Sequence, residues 1–303
     1  MSTAARTTEA PAQPQAGASD LPLRTSSLLL WLVVVELVLL FAPTIRFLFE
    51  RWTMSVWHNA HGMFVPPIAA WLAWDELRRC KDAPASGSAW GFAFLVPAVG
   101  LQAIDTGLHT ELLSAVALLV ALPGLSLLML GTDRTRRIAF PLFFLVFALP
   151  IPLGMTETLH LVLRHLTVAV TSLLLPLIGI TVFVEDTTLH LTNGALTVAD
   201  ACSGFSTLYA ALAVATFAAY TAHSVVRRVL VLALAAPIAI LSNIARILLL
   251  VALVQGWGPN VLHTVLHPLS GLLTFAIALP LIFWLGGPVE PPAPSVRDAA
   301  LAG

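Results

Sequence analysis

The chain has 303 residues, of which 58% are apolar and 10% charged, against roughly half apolar and a quarter charged in an ordinary soluble domain. That excess excludes a soluble globule. At about 20 residues per crossing of a ~30 Å hydrocarbon layer, it leaves room for about eight membrane helices and no separate soluble domain. A net charge of −1, with 15 Lys and Arg scattered along the chain, excludes a basic face for nucleic acid. Cys80 and Cys202 are too far apart in sequence to read as a disulfide scaffold.

Residues 1–24 are rich in Ala, Thr, Ser and Pro without apolar periodicity and are expected to be a disordered tail. The first apolar run, 27–43, precedes Arg46, Glu50 and Arg51 without a small-residue cleavage site, so it reads as a retained helix and not a signal peptide. Further apolar runs fall at 56–74, 90–104, 112–130, 138–153, 155–180, 202–221, 229–254 and 261–285. Residues 287–303 contain Pro288, Pro291, Pro292 and Pro294 and read as a second short tail. Residues 25–286 then form a single membrane-embedded domain.

Cations in short loops favour the cytoplasmic side. Arg78, Arg79 and Lys81 share one loop, Arg134, Arg136 and Arg137 another, and Arg227 and Arg228 a third; with Arg6, Arg24 and Arg297 this puts 11 of the 15 cations on one face. The loops at 105–111, 150–157 and 255–260 contain no Lys or Arg and belong outside. Parity then leaves the run at 155–180 unable to cross. With His160, Arg164 and His165 on it and Pro176 breaking it, this run is expected to be an interfacial or re-entrant helix. Eight spans remain. Between that helix and Cys202, the β-branched stretch around Thr192-Asn193-Gly194 predicts a small external hairpin turning at Asn-Gly.

Cys202 opens an apolar run after Asp200, a candidate N-cap, so its sulfur is expected near the positive end of a helix dipole. A free cysteine is more often a small packed apolar residue. Its neighbours in the topology change those odds. Arg246 lies 18 residues beyond Arg228, about 27 Å along the same helix and near its outer end, where a charge within a span marks a functional site by default. Asn243 shares its helical face. His263 and His267 open the last run and, four residues apart, are expected on one face. Thiol, imidazole and guanidinium at one depth supply a nucleophile, a proton shuttle and a cation for a tetrahedral oxyanion, the parts of acyl transfer. The pair of histidines lacks the glutamate of an H-E-x-x-H motif, which argues against a zinc site, and no cofactor is implied.

The segments Ala201-Cys202-Ser203-Gly204, Asn243-x-x-Arg246 and His267-x-x-Ser270-Gly271 resemble, in order and spacing, the signature blocks of the exosortase/archaeosortase membrane transpeptidases, and His61-Gly62 with 66–74 is similar to that family's amino-terminal block. The resemblance covers about residues 25–286. It implies a multi-helix cysteine transpeptidase of the cytoplasmic membrane, facing outward, that cuts the carboxy-terminal sorting signal of secreted proteins and passes them to an acceptor. Those substrates carry a short motif, a membrane helix and a basic cluster. Cys202 would be the nucleophile and Arg246 and His267 its partners. Asn243, Ser203, Gly204, His263 and His61 would support them or border the substrate, and His263 stays the alternative proton shuttle.

Two other functions fit the composition. A transporter of a small anionic or lipid-linked solute would use Arg246 and the histidines as a binding site. A membrane acyltransferase would use His267 without a covalent cysteine. His61 and Trp57 are placed at the rim of a substrate groove, and His190, Glu185 and Asp186 on the hairpin are candidate motif contacts. Glu36 is assigned no role, and Cys80 is read as incidental.

Overall fold

Residues 21–53, 59–79, 87–199 and 202–287 are described by the structure, a computed structural model of the chain. The chain divides into two units, Met1–Ala42 and Pro43–Gly303. The described residues form helices α1 (Leu21–Thr53), α2 (Val65–Arg79), α3 (Phe92–Leu108), α4 (Leu112–Arg137), α5 (Ala139–Phe144) and α6 (Leu153–Leu174). Strands β1 (Val182–Glu185), β2 (Thr188–Leu191) and β3 (Gly194–Thr197) follow, and then α7 (Phe205–Thr221), α8 (Val225–Trp257) and α9 (Leu266–Gly286). All but the opening part of α1 belong to the second unit.

Lipid tails are as apolar as leucine, so helices in a bilayer associate mainly through close packing of small side chains. The last three helices follow this rule. Ala211, Ala215 and Ala218 of α7 meet Val231, Ala235 and Ala239 of α8 and Ala278 and Ile282 of α9 in one buried cluster. Toward the other end of α8 a second cluster joins Val168 and Leu175 to Leu189, Leu196 and Val198 around the sheet, with Cys202 and Ile247, Leu250 and Val251 of α8. The side-chain amide of Asn193 donates to the Gln255 carbonyl at 2.6 Å, tying the β2–β3 turn to the final turns of α8. At 33 residues α8 is about 50 Å long, well beyond a ~30 Å hydrocarbon layer.

The span count departs from expectation. Among the described residues six helices are long and apolar enough to cross a membrane, not eight. The run at 138–153 yields only α5 and a 3-10 turn, Leu145–Ala148, ten residues that reach about half the layer. Pro150 and Pro152 stop it. The run at 56–74 gives way to a 3-10 turn, Ala60–Met63, and to α2, which starts at Val65 with Pro66 and Pro67 in its first turn, where proline is tolerated. The stretch expected at the interface instead forms α6 and a following 3-10 turn, and Thr156–Ile178 is long and apolar enough to cross. Along it Thr156, His160, Thr167 and Thr171 recur at helical spacing and are buried against protein, whereas His165 is exposed.

In place of the expected hairpin stands a three-stranded antiparallel sheet in the order β1-β2-β3. Leu191 pairs with Gly194, so the tight turn is Thr192-Asn193 and the glycine begins β3. The additional turn, between β1 and β2, is made by Asp186 at φ 52°, a left-handed conformation that Asp tolerates better than most residues. Helix α1 begins at Leu21, four residues before the expected end of the tail. Residues 1–20 and 288–303, Cys80, Trp57 and Asp200 lie outside the described residues.

Candidate active site

Cys202 does not sit in the first turn of a helix as the sequence suggested. Helix α7 begins at Phe205 with Gly204 as its N-cap, and Gly204 has φ 85°. The left-handed residue breaks the chain direction, leaving Cys202 and Ser203 in a separate turn whose start is closed by the Cys202 N–H donating to the Ala199 carbonyl at 2.8 Å. Both residues are buried, Cys202 at 3% exposure and Ser203 at 1%.

Neighbouring helices grip this turn from two sides. From α8, the Asn243 amide, itself 1% exposed, donates to the Cys202 carbonyl at 3.1 Å and to the Thr167 hydroxyl of α6 at 3.5 Å. From α6, His160 Nδ1 and Ser203 Oγ share a hydrogen bond of 2.9 Å, and the imidazole packs on the Phe205 ring at 4.6 Å. Ser203 Oγ also accepts from the Phe205 N–H at 3.3 Å.

Arg246, one turn beyond Asn243, donates from Nε to Ser270 Oγ of α9 at 3.0 Å. Gly271 lies against the same guanidinium: a β-carbon there would stand 3.6 Å from Nη2. Two adjacent faces of one helix turn thus hold the cysteine carbonyl and the start of α9. Burial pushes the Cys202 thiol above its ordinary range, and the Arg246 charge pulls it part of the way back. The resting sulfur is therefore a protonated thiol at neutral pH.

His267 is the second residue of α9, one turn before Ser270. His263 ends a separate 3-10 turn, Pro259–His263, and is exposed, so the two histidines do not share a helix face. The run expected at 261–285 is broken after His263, where Thr264 is extended before α9 begins at Leu266. His61 is half-buried in the 3-10 turn ahead of α2, edge-on to Tyr209 at 4.9 Å. Its neighbour Gly62 leaves room for the Trp52 indole, which donates to the Ala148 carbonyl at 2.8 Å. His61 and Ser206 border an apolar cleft of about 810 Å³ that continues past Ala210, Leu272, Phe217 and Phe283. The sheet histidine and carboxylates pair locally: His190 with Glu185 at 2.9 Å, and Asp186 with His165 of α6 at 3.0 Å. Among the described residues no group of three or more His, Cys, Asp or Glu could hold a metal ion.

Sequence reasoning missed His160 as a site residue because it counted it only among the polar residues of 155–180, a run that loop parity had set aside as non-crossing. Their spacing on one face was the signal that could have placed them toward protein.

Gly204 gives a direct test of how rigidly the turn is built. Alanine there would adopt a left-handed φ at about 1–2 kcal/mol, and its β-carbon would stand 2.8 Å from Asn243 Cγ. Gly204→Ala should lower the unfolding temperature of the detergent-purified protein by several degrees and disturb the Cys202 turn.

Helices long and apolar enough to span, packed through alanine and interrupted by proline, define a multi-pass membrane protein with a buried cysteine turn held from α8. The family model for transmembrane exosortases matches residues 52–284, and the chain belongs to that family. Comparisons with curated proteins and with solved structures gave no match.

Proposed function

We propose that the protein is a cysteine transpeptidase that removes the carboxy-terminal sorting signal of secreted proteins and transfers them to an acceptor, working at the outer face of the cytoplasmic membrane. The observation that carries this reading is the double use of one α8 turn: Asn243 holds the Cys202 carbonyl while Arg246 is pinned to α9 by Ser270. The reading is supported by Arg246 being fixed to α9, the helix whose second residue is His267, in a chain of the exosortase family. The cation loops near Arg79, Arg136 and Arg228 support the orientation.

Because the thiol is protonated at rest, attack needs a base. In the proposed sequence His267 accepts the Cys202 proton, and sulfur adds to the scissile carbonyl. Arg246 then steadies the developing oxyanion with a charge already held in place, so no reorganisation is needed in the transition state. Collapse breaks the carbon–nitrogen bond, and the amine of the departing tail takes the proton back from His267. The substrate is left as a thioester on Cys202, and an acceptor nucleophile displaces the sulfur. A substrate anchored by its own membrane helix meets the site at high local concentration, which lessens the need for tight contacts to the motif.

Hydroxylamine tests the intermediate, since it attacks thioesters far faster than amides. Membranes processing a reporter with a motif, helix and basic cluster should yield, with hydroxylamine, a released protein ending in a hydroxamate. Cleavage that continues with no hydroxamate formed at any hydroxylamine concentration would exclude a thioester.

A further inference from the structure

His160 lies outside the three sequence blocks that mark the site, yet it is the α6 side chain that reaches the nucleophile turn. It is 6% exposed on an otherwise apolar helix. Placing an imidazole there is costly unless its polar atoms are used. Its Nδ1 meets Ser203 Oγ at 2.9 Å, next in sequence to Cys202, and its ring is backed by Phe205. Ser203 Oγ in turn accepts from the Phe205 N–H, the first residue of α7. The contact therefore links three things: α6, the cysteine turn and the start of α7. Asn243 grips the same turn by its carbonyl from α8. A turn of two residues held at one point can still pivot; held at the Cys202 carbonyl and the Ser203 hydroxyl from different helices, it cannot.

We propose that His160 is a positioning residue: by binding Ser203 Oγ it fixes the 202–204 turn, and with it the direction of the Cys202 sulfur, without exchanging a proton with substrate. The proposal rests on the transpeptidase reading for its consequence on turnover, but not for its consequence on the thiol itself.

Four variants of the full-length protein in native membranes test it: His160→Leu, His160→Asn, Ser203→Ala and the His160→Leu/Ser203→Ala pair. Asparagine can place an amide near the former Nδ1 position and keep the bond to Ser203, whereas leucine cannot. His160→Leu and Ser203→Ala should each lower reporter processing roughly 30-fold, the scale of one buried hydrogen bond. The pair should be no worse than either alone, because both remove the same contact. His160→Asn should stay within about five-fold of the parent and keep the acidic limb of its pH profile, as expected when a hydrogen bond and not a titrating group is what matters. Alkylation of Cys202 by a membrane-permeant maleimide should become several-fold faster in His160→Leu, since a loosened turn exposes a sulfur that is now buried.

A His160→Asn variant as inactive as the leucine variant, or one that loses the acidic limb, would make His160 a proton carrier and overturn the proposal. Additive losses in the pair, or unchanged alkylation in His160→Leu, would overturn it equally. If the leucine variant does not reach the membrane, Ser203→Ala and His160→Asn still decide, the first being required to fall and the second to hold. Should the parent process no reporter at all, the transpeptidase reading fails while the maleimide rates continue to judge the positioning claim.

Discussion

Cys202→Ala should abolish removal of the carboxy-terminal tail, with a loss of at least about 10⁴-fold, because it removes the only thiol in the turn and the neighbouring Ser203 hydroxyl is a weaker nucleophile already bonded to His160. The measurement is the size shift of a tailed reporter in membranes. Stability is not a confounding cause: exchanging a buried thiol for a methyl removes one atom from the cluster shared with Val198 and Ile247, which costs about 1 kcal/mol. Cys202→Ser should be nearly as inactive, since a serine hydroxyl in the same buried turn is a far weaker acid than the thiol. The same pair of variants separates the alternatives. A transporter binding an anion at Arg246 tolerates serine at 202, and an acyltransferase relying on imidazole alone survives Cys202→Ala but not His267→Ala.

The second large effect is expected at Arg246. Removing the guanidinium by Arg246→Gln should reduce turnover about 10²–10³-fold, the usual consequence of losing one preorganised oxyanion partner. A pH signature should accompany it. Burial raises the Cys202 thiol pKa and Arg246 opposes that rise; without the cation the pKa moves further upward, so at any fixed pH less thiolate is present. The pH midpoint of Cys202 alkylation should therefore shift to higher pH in Arg246→Gln. Ser270→Ala, which keeps the charge but releases its Nε anchor, should lower turnover less and move that midpoint little. An Arg246→Gln variant with both parental turnover and parental midpoint would remove the arginine from the site.

The class of the molecule could be read from apolar runs, because hydropathy over about 20 residues reports what a bilayer requires. That Asn243 and Arg246 work from one turn of α8 was legible for a similar reason: a three-residue spacing on a long helix keeps two side chains within a turn of each other. Where the sequence misled, local backbone geometry intervened. Gly204 at a left-handed φ detaches the cysteine from α7, and the extended Thr264 that ends the Pro259–His263 turn detaches His263 from α9. Hydropathy does not register either break, since neither residue adds a charge to an apolar run. The count of eight failed for a related cause, as the 138–153 run is apolar enough to span but ends after ten helical residues. Asp186 could not be recognised as a turn beforehand because nothing in its flanks resembles the Asn-Gly dipeptide seven residues on.

The length of α8 bears on the setting in which the protein sits. A rod of 33 residues that carries Arg227 and Arg228 near one end, Arg246 partway along and a sheet near its tip behaves like a depth gauge, holding the Arg246 guanidinium at a set distance from the basic end. Lipids of different chain length would raise or sink that group relative to the headgroups, or tilt the rod to compensate. Membrane thickness is thus built into the register between this protein and any partner whose own anchor spans the same bilayer.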